Sequence, residues 1–254
     1  MSRTHHHIFL AAPGFGPLGA SVARSLAQGR AALTAAGTIH VDETLMGRAG
    51  AGLSGFFPMA PQRMRRFATK IQGPVGRVVL LTQSYDTYFP QIWRHQAQRR
   101  AMPDFGDIAP ALVRDPRGWA DLVAEVLREL KPRDLVVLPA PVTPAEVLAA
   151  LAPGVALPVA PLDTVQLPDT GLAMLQRLLR AGVSIAPRQA QRLMAFHAEQ
   201  PQPAPLAGFG VLEAARLRRR YEQDLDRIAA MPGVRIGAMA PLAICEAVPS
   251  VAPA

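Results

Sequence analysis

The sequence predicts an α/β protein: a mostly parallel sheet with helices on both faces, followed by a helical C-terminal part. Three observations predict it. Strand-length apolar runs alternate with helix-length amphipathic runs from the N-terminus to about Leu151. Two of the apolar runs, Arg77–Thr82 (RVVLLT) and Asp134–Pro139 (DLVVLP), are nearly unbroken instead of alternating, as strands buried on both faces are. Helix-start signals separate them, above all the capping box Thr143-Pro144-Ala145-Glu146, with proline at the first helical position.

Taken in order, Ile8–Ala12 is the first strand, and it runs into a glycine-rich loop that ends at Gly19. Ala20–Leu33 is a helix whose apolar stripe is Val22, Leu26 and Leu33 with Ala23 and Ala27. Thr38–Val41 is a short strand, and Asp42–Pro58 a glycine-rich connection. Pro61–Ile71 is a basic helix. After strand Arg77–Thr82 comes a helical run, Tyr85–Arg100, in which Pro90 starts or kinks the helix. Met102-Pro103 and Phe105-Gly106-Asp107 mark Ala101–Asp115 as loop. Pro116–Leu130 is amphipathic, Asp134–Pro139 is the next strand, and a helix starts at Thr143. Prolines 153, 158, 161 and 168 keep Ala152–Pro168 irregular. Helices follow over Thr170–Ala181, Pro187–Gln200 and Leu212–Met231, the last stopped by Pro232-Gly233. Residues 1–237 read as one domain and 238–254 as a mobile tail.

Half the residues are apolar, enough for a substantial core. The net charge is +8 and almost wholly arginine; only Lys70 and Lys131 are lysines. Arginine suits phosphate and sulfate, although a GC-rich coding sequence also yields such a composition. The basic residues are scattered and aromatics few, which argues against nucleic acid as a partner. Cys245 stands alone, so there is neither an intrachain disulfide nor a cysteine metal site, as in a cytoplasmic protein. No apolar run has the length of a membrane span. Alternation along a strand prevents His5, His6 and His7 from converging on one metal.

The stretch that carries chemistry is the loop Gly14-Phe15-Gly16-Pro17-Leu18-Gly19. An apolar strand feeding such a loop at a helix N-terminus is an anion cradle, because free backbone N–H groups and the helix dipole both favour negative charge. Gly14-x-Gly16-x-x-Gly19 also spells a dinucleotide fingerprint, with Asp42 at the place of the ribose-binding acid. Against that reading, Pro17 removes an N–H inside the motif, and no strand follows promptly over Gly29–Gly37. Asp42 and Glu43, just past the second strand, are either a candidate general base facing the loop or caps for the next turn. Tyr85, Asp86 and Tyr88 read mainly as packing residues.

Several segments together resemble the bacterial sulfotransferase family, whose fold is related to the P-loop kinases. IFLAAPGFGPLGAS matches the family's opening HIGxPKTGTTxLQ. Val41–Gly47 (VDETLMG) matches its SDENLLG, and Leu80–Arg94 (LLTQSYDTYFPQIWR) its xxRSYDSYxxSxYR. Leu217–Val234 (LRRRYEQDLDRIAAMPGV) matches LRxRYxxDLxxLxxxPGV. These stand in the family's order and span most of the chain. The resemblance implies 3′-phosphoadenosine 5′-phosphosulfate as donor, a small-molecule or saccharide hydroxyl as acceptor, sulfuryl transfer between them, and Glu43 or Asp42 as base. The departures fall on the donor site. Gly14 stands where the family has its loop lysine, and Pro17-Leu18 where it has a threonine pair. Gln83 and Gln91 replace the Arg and Ser that grip the 3′-phosphate. Every missing charge-assisted hydrogen bond costs about 1.5–3 kcal/mol. Arg48 is a candidate substitute cation, as are the arginines of 63–66 and 94–100. Two further readings stay open: a non-catalytic binding or regulatory protein on the same fold, and an NAD(P)-dependent oxidoreductase using the glycine loop.

Overall fold

The computed structural model describes residues 5–12, 15–33, 37–71, 73–162, 168–202 and 205–237. Gly14, Cys245 and the tail 238–254 lie outside the described residues. Five strands form one all-parallel sheet: β1 (His6–Leu10), β2 (Thr38–Val41), β3 (Val75–Thr82), β4 (Asp134–Pro139) and β5 (Val234–Ile236), in the order β2-β1-β3-β4-β5. The predicted α/β class and parallel sheet are therefore present. Ten helices connect the strands among the described residues: α1 (Gly16–Gln28), α2 (Ala49–Gly52), α3 (Ala60–Lys70), α4 (Tyr85–Ala97), α5 (Phe105–Arg114), α6 (Trp119–Leu130), α7 (Pro144–Leu151), α8 (Asp169–Arg180), α9 (Pro187–Ala198) and α10 (Val211–Ala229).

The strand order makes the sheet doubly wound. The chain steps one way from β1 to β2, then crosses over β1 to reach β3, and continues in that second direction to β5. Right-handed crossovers put helices made in opposite directions on opposite faces. Accordingly α3 packs with α6, and α6 with α10, on the face away from α1; α7, although it follows β4, packs with α1 and touches β1 and β3, so the connection from β4 to β5 visits both faces. The point where the direction reverses lies between β1 and β3, and their carboxyl ends are where such sheets bind ligands.

The core is built as the apolar runs require. Ile8–Leu10, Val78–Leu81, Leu135 and Val137 are fully buried. A second cluster is aromatic. Phe56 contacts the rings of Tyr85, Tyr88, Phe89 and Trp119, with centroids 5.0–6.0 Å apart. Phe56 and Phe57 reach it through left-handed backbone, with φ 42° and 62°. Arg117 holds that turn, donating to the Phe56 carbonyl at 3.0 Å and the Phe57 carbonyl at 3.2 Å while pairing with Glu125 at 2.6 Å.

Four expectations need correction. The stretch 105–114, expected as loop, is helix α5: Phe105, Ala109 and Leu112 bury one face of it, and Gly106 and Pro110 fall on its exposed side. The first helix begins at Gly16, not Ala20, because Pro17 suits a first turn, so Gly16–Gly19 belong to the helix. The connection 42–58 contains the single turn α2. Strand β5, three residues just beyond Pro232-Gly233, adds a fifth strand where no apolar run predicts one.

Candidate functional site

The carboxyl ends of β1, β2 and β3 meet at the start of α1. Phe15 precedes the helix, its N–H bonded back to the Ala12 carbonyl at 3.1 Å. A Cβ on Gly16 would meet nothing within 4 Å, so this end of the helix faces open space. Pro17 is exposed and Leu18 buried, so these two neighbours play opposite parts. Gly19 is the tight position. A Cβ there would collide with Glu43 Oε1, so the glycine is what lets the end of β2 lie against the first turn of α1.

The side chain brought to that turn is therefore a carboxylate. Glu43 is half-buried, and burial raises its pKa above the usual carboxylate range; Arg99 nearby partly offsets this, and Asp42 adds to it. Arg99 also contacts His95, with Nη1 2.9 Å from Nε2. Burial, followed by the charge of Arg99, lowers the His95 pKa. Asp42 is spent on local structure: its Oδ1 accepts from Thr44 N at 2.7 Å and Thr44 Oγ1 at 3.0 Å. Arg63 fixes the same connection from α3, donating to the Thr44 carbonyl at 2.7 Å.

A cleft of about 910 Å³ opens beside Pro17, between the outer side of α4, the start of α8 and the segment 205–208. Its polar lining includes Gln91, Arg94, His95, Gln98, Asp169 and Gln202. Most of this lining is pre-positioned. Arg94 is ion-paired with Asp169, which also accepts from Leu206 N at 3.1 Å. Gln202 donates to the His197 carbonyl at 2.9 Å. Of the two glutamines that the resemblance alone sets against 3′-phosphate ligands, Gln91 lines this cleft but Gln83 does not. The Gln83 backbone carbonyl accepts from Trp119 Nε1 at 2.8 Å, and its side-chain Oε1 is buried with no hydrogen-bond partner. Arg48 is exposed, just before α2.

The two longest family-like segments meet in space. Tyr85 is fully buried, donates to Asp224 Oδ2, and accepts the Trp119 N–H at 2.7 Å. Thr82 Oγ1 and Tyr221 Oη are 2.9 Å apart. Arg218 donates to Asp86 at 2.7 Å, and the Arg220 guanidinium lies 4.4 Å from the centre of the Tyr85 ring. A Cβ on Gly118 would collide with Tyr85 Oη and Asp224, so the start of α6 also depends on this contact. These motif residues clamp α10 onto the start of α4. Asp86 alone among them also lines the cleft.

Elsewhere, His6 faces His40, with Nδ1 3.0 Å from Nε2, while His5 and His7 lie on the other side beside Gly76. Among the described residues, no group of three or more His, Cys, Asp or Glu side chains is placed to hold a metal ion, and no helix is long and apolar enough to cross a membrane. The cleft residues His95, Gln98, Asp169 and Gln202 come from three separate segments, and no sequence motif joins them. No family model matches the sequence, and neither a curated protein nor a solved structure matches it.

Proposed function

We propose that this chain uses a sulfotransferase-like α/β scaffold for binding, not turnover, and that its cleft takes a small hydroxyl-rich ligand of the saccharide class. The observation that carries this reading is the sign of the charge at the start of α1. Where the resemblance implies a lysine gripping a phosphosulfate, the ionisable side chain packed against the helix turn is Glu43. A carboxylate there takes up the favourable field of the helix end and repels a second anion. The residues present do not fit 3′-phosphoadenosine 5′-phosphosulfate: Pro17 offers no N–H, Gln83 is outside the cleft, and Arg94 is already paired with Asp169. The same cleft suits hydroxyl groups. Its amides and charged groups are held in place by their neighbours, so little ordering is needed on binding.

Two other readings each have one observation in their favour. Sulfuryl transfer to a hydroxyl is favoured by Glu43 itself, since a carboxyl with a raised pKa is a stronger base, and Arg99 brings a cation close by. An NAD(P)-dependent oxidoreductase is favoured by β2 lying directly beside β1, which puts Asp42 and Glu43 at the edge of the glycine turn, as in a dinucleotide-binding βαβ unit.

Ligand-observed NMR with a panel of mono- and disaccharides, beside adenosine 3′,5′-bisphosphate and NAD, separates the three. The proposal expects saturation transfer to at least one saccharide, abolished by Gln91→Leu/Gln98→Leu, and no competition with that saccharide by either nucleotide. No saccharide binding overturns the ligand class, and micromolar binding of bisphosphate or of NAD at the start of α1 selects the corresponding enzyme.

A further inference from the structure

On α10, Arg216, Arg219, Arg220 and Arg227 fall at spacings of three, one and seven, which brings them to one side of the helix. Across from them stands Arg114, at the end of α5. Between the two helices and the connection 115–116 lies a cleft of about 480 Å³, which all five arginines line. It is separate from the cleft at the start of α1, with which it shares no lining residue.

Of these arginines Arg227 is paired, with Asp224 at 3.2 Å and Asp121 at 3.7 Å, whereas Arg114, Arg216, Arg219 and Arg220 have no carboxylate partner among the described residues. Asp115 accepts the Arg117 backbone N–H at 3.0 Å. Asp224 is shared between Tyr85 and Arg227. Glu213, one turn before Arg216, caps the helix start by accepting from Gly210 N at 3.1 Å. Arg216 and Arg219 make no hydrogen bond or ion pair among the described residues. Arg220 is more telling. One of its nitrogens donates to the Arg117 carbonyl, but Nη1 is buried without any acceptor. A buried guanidinium N–H with no acceptor is costly, and like charges three and four residues apart on a helix repel. An oxyanion in the cleft would relieve the repulsion and offer the acceptor that Arg220 lacks once its guanidinium turns toward the cleft, because guanidinium forks match phosphate and sulfate oxygens in pairs.

We propose that this cleft is a binding site for a small, multiply charged oxyanion, a phosphate- or sulfate-bearing molecule held between α10 and the end of α5. Its volume favours a small molecule over an extended polymer. The site also has a route to the rest of the fold: Arg220 lies on the Tyr85 ring, so an anion drawn to Arg220 tightens the clamp of α10 on α4. None of this depends on what the other cleft binds.

The test is calorimetric titration of the full chain with inorganic pyrophosphate at low salt, with sulfate, phosphate and a ten-residue single-stranded oligonucleotide as parallel arms. One saturable site is expected, tighter for pyrophosphate than for either single anion. Arg216→Ala/Arg219→Ala should weaken it by roughly a hundredfold, about tenfold for each guanidinium removed. Both side chains are exposed and without partners, so the double variant should unfold at the wild-type temperature. Glu43→Gln should leave pyrophosphate binding at this site unchanged. No saturable pyrophosphate binding, equal binding by the double variant, or binding of the oligonucleotide alone would each overturn the proposal.

Discussion

Replacing Tyr85 by Phe removes a single oxygen and tests whether the segments SYDTY and LRRRYEQDL act as one structural clamp. The Tyr85 hydroxyl donates to Asp224 and accepts the backbone N–H of Trp119, at the start of α6. Tyr85 is 0% and Asp224 4% exposed, so water cannot readily replace either bond. The variant loses a charge-assisted hydrogen bond, worth about 1.5–3 kcal/mol, and strands a buried N–H at about 1–3 kcal/mol. Because the two losses share one site they do not simply add, and about 3–5 kcal/mol is expected. That is a large share of a native stability of about 5–15 kcal/mol. At about 2–4 °C per kcal/mol for a domain of this size, the melting temperature should fall by about 10 °C. Urea unfolding followed by circular dichroism measures it. A cycle with Asp224→Asn should show a coupling above about 1 kcal/mol between the two sites. A loss below about 1 kcal/mol, or additive behaviour, would refute the clamp, since such values belong to exposed groups.

Other expectations follow from the same packing. All three tyrosines of the chain are buried, and burial raises the pKa of each; Tyr221 is pushed up to about 12, and Asp224 adds to the shift of Tyr85. Folded values above the unfolded one give stability that is whole below about pH 10 and lost as pH rises, with Tyr221 alone worth about 2 kcal/mol by pH 12. Tyrosinate absorbance in an alkaline titration should therefore appear together with loss of circular dichroism; separate early ionisation would contradict this. Arg117→Met strands Glu125 and frees the left-handed turn at Phe56–Phe57, and should cost about 3–5 kcal/mol in urea unfolding, as breaking a buried pair does. Burial, followed by the charge of His6, lowers the His40 pKa, so its unfolded form binds protons more readily, and stability falls as pH drops below the ordinary histidine value. Hydrogen exchange should show β2 amides opening faster at pH 5 than at pH 7, an effect that His40→Gln abolishes.

What can be read from the sequence is whatever one segment determines by itself. The runs Arg77–Thr82 and Asp134–Pro139 form β3 and β4 because unbroken apolar character fits a strand covered on both faces. The capping box at Thr143 starts α7, with Thr143 Oγ1 accepting from Glu146 N at 3.2 Å. Helix α5 is hidden because Gly106 and Pro110 are local breaker signals, whereas the burial of Phe105, Ala109 and Leu112 is a tertiary effect. Strand β5 has only three residues, and its existence depends on pairing with β4, about a hundred positions earlier. The site follows the same rule. The position of Glu43 just after β2 points it toward the loop, but its contact with Gly19 depends on β2 lying beside β1. The arginine spacing on α10 is visible in the sequence, and the opposing Arg114 is not.

The central claim is that a carboxylate, not a cation, governs the start of α1. The most direct measurement is calorimetric titration with adenosine 3′,5′-bisphosphate of the wild-type chain and of Glu43→Gln, both carrying Arg216→Ala/Arg219→Ala to silence the second cleft. Wild-type Glu43 should give no binding tighter than millimolar. Removing the charge should improve affinity by about 0.3–2 kcal/mol, the range over which a charge near a helix N-terminus acts. Micromolar binding with Glu43 in place, or weaker binding without it, would contradict the claim and make this turn the anion cradle that its glycines suggest.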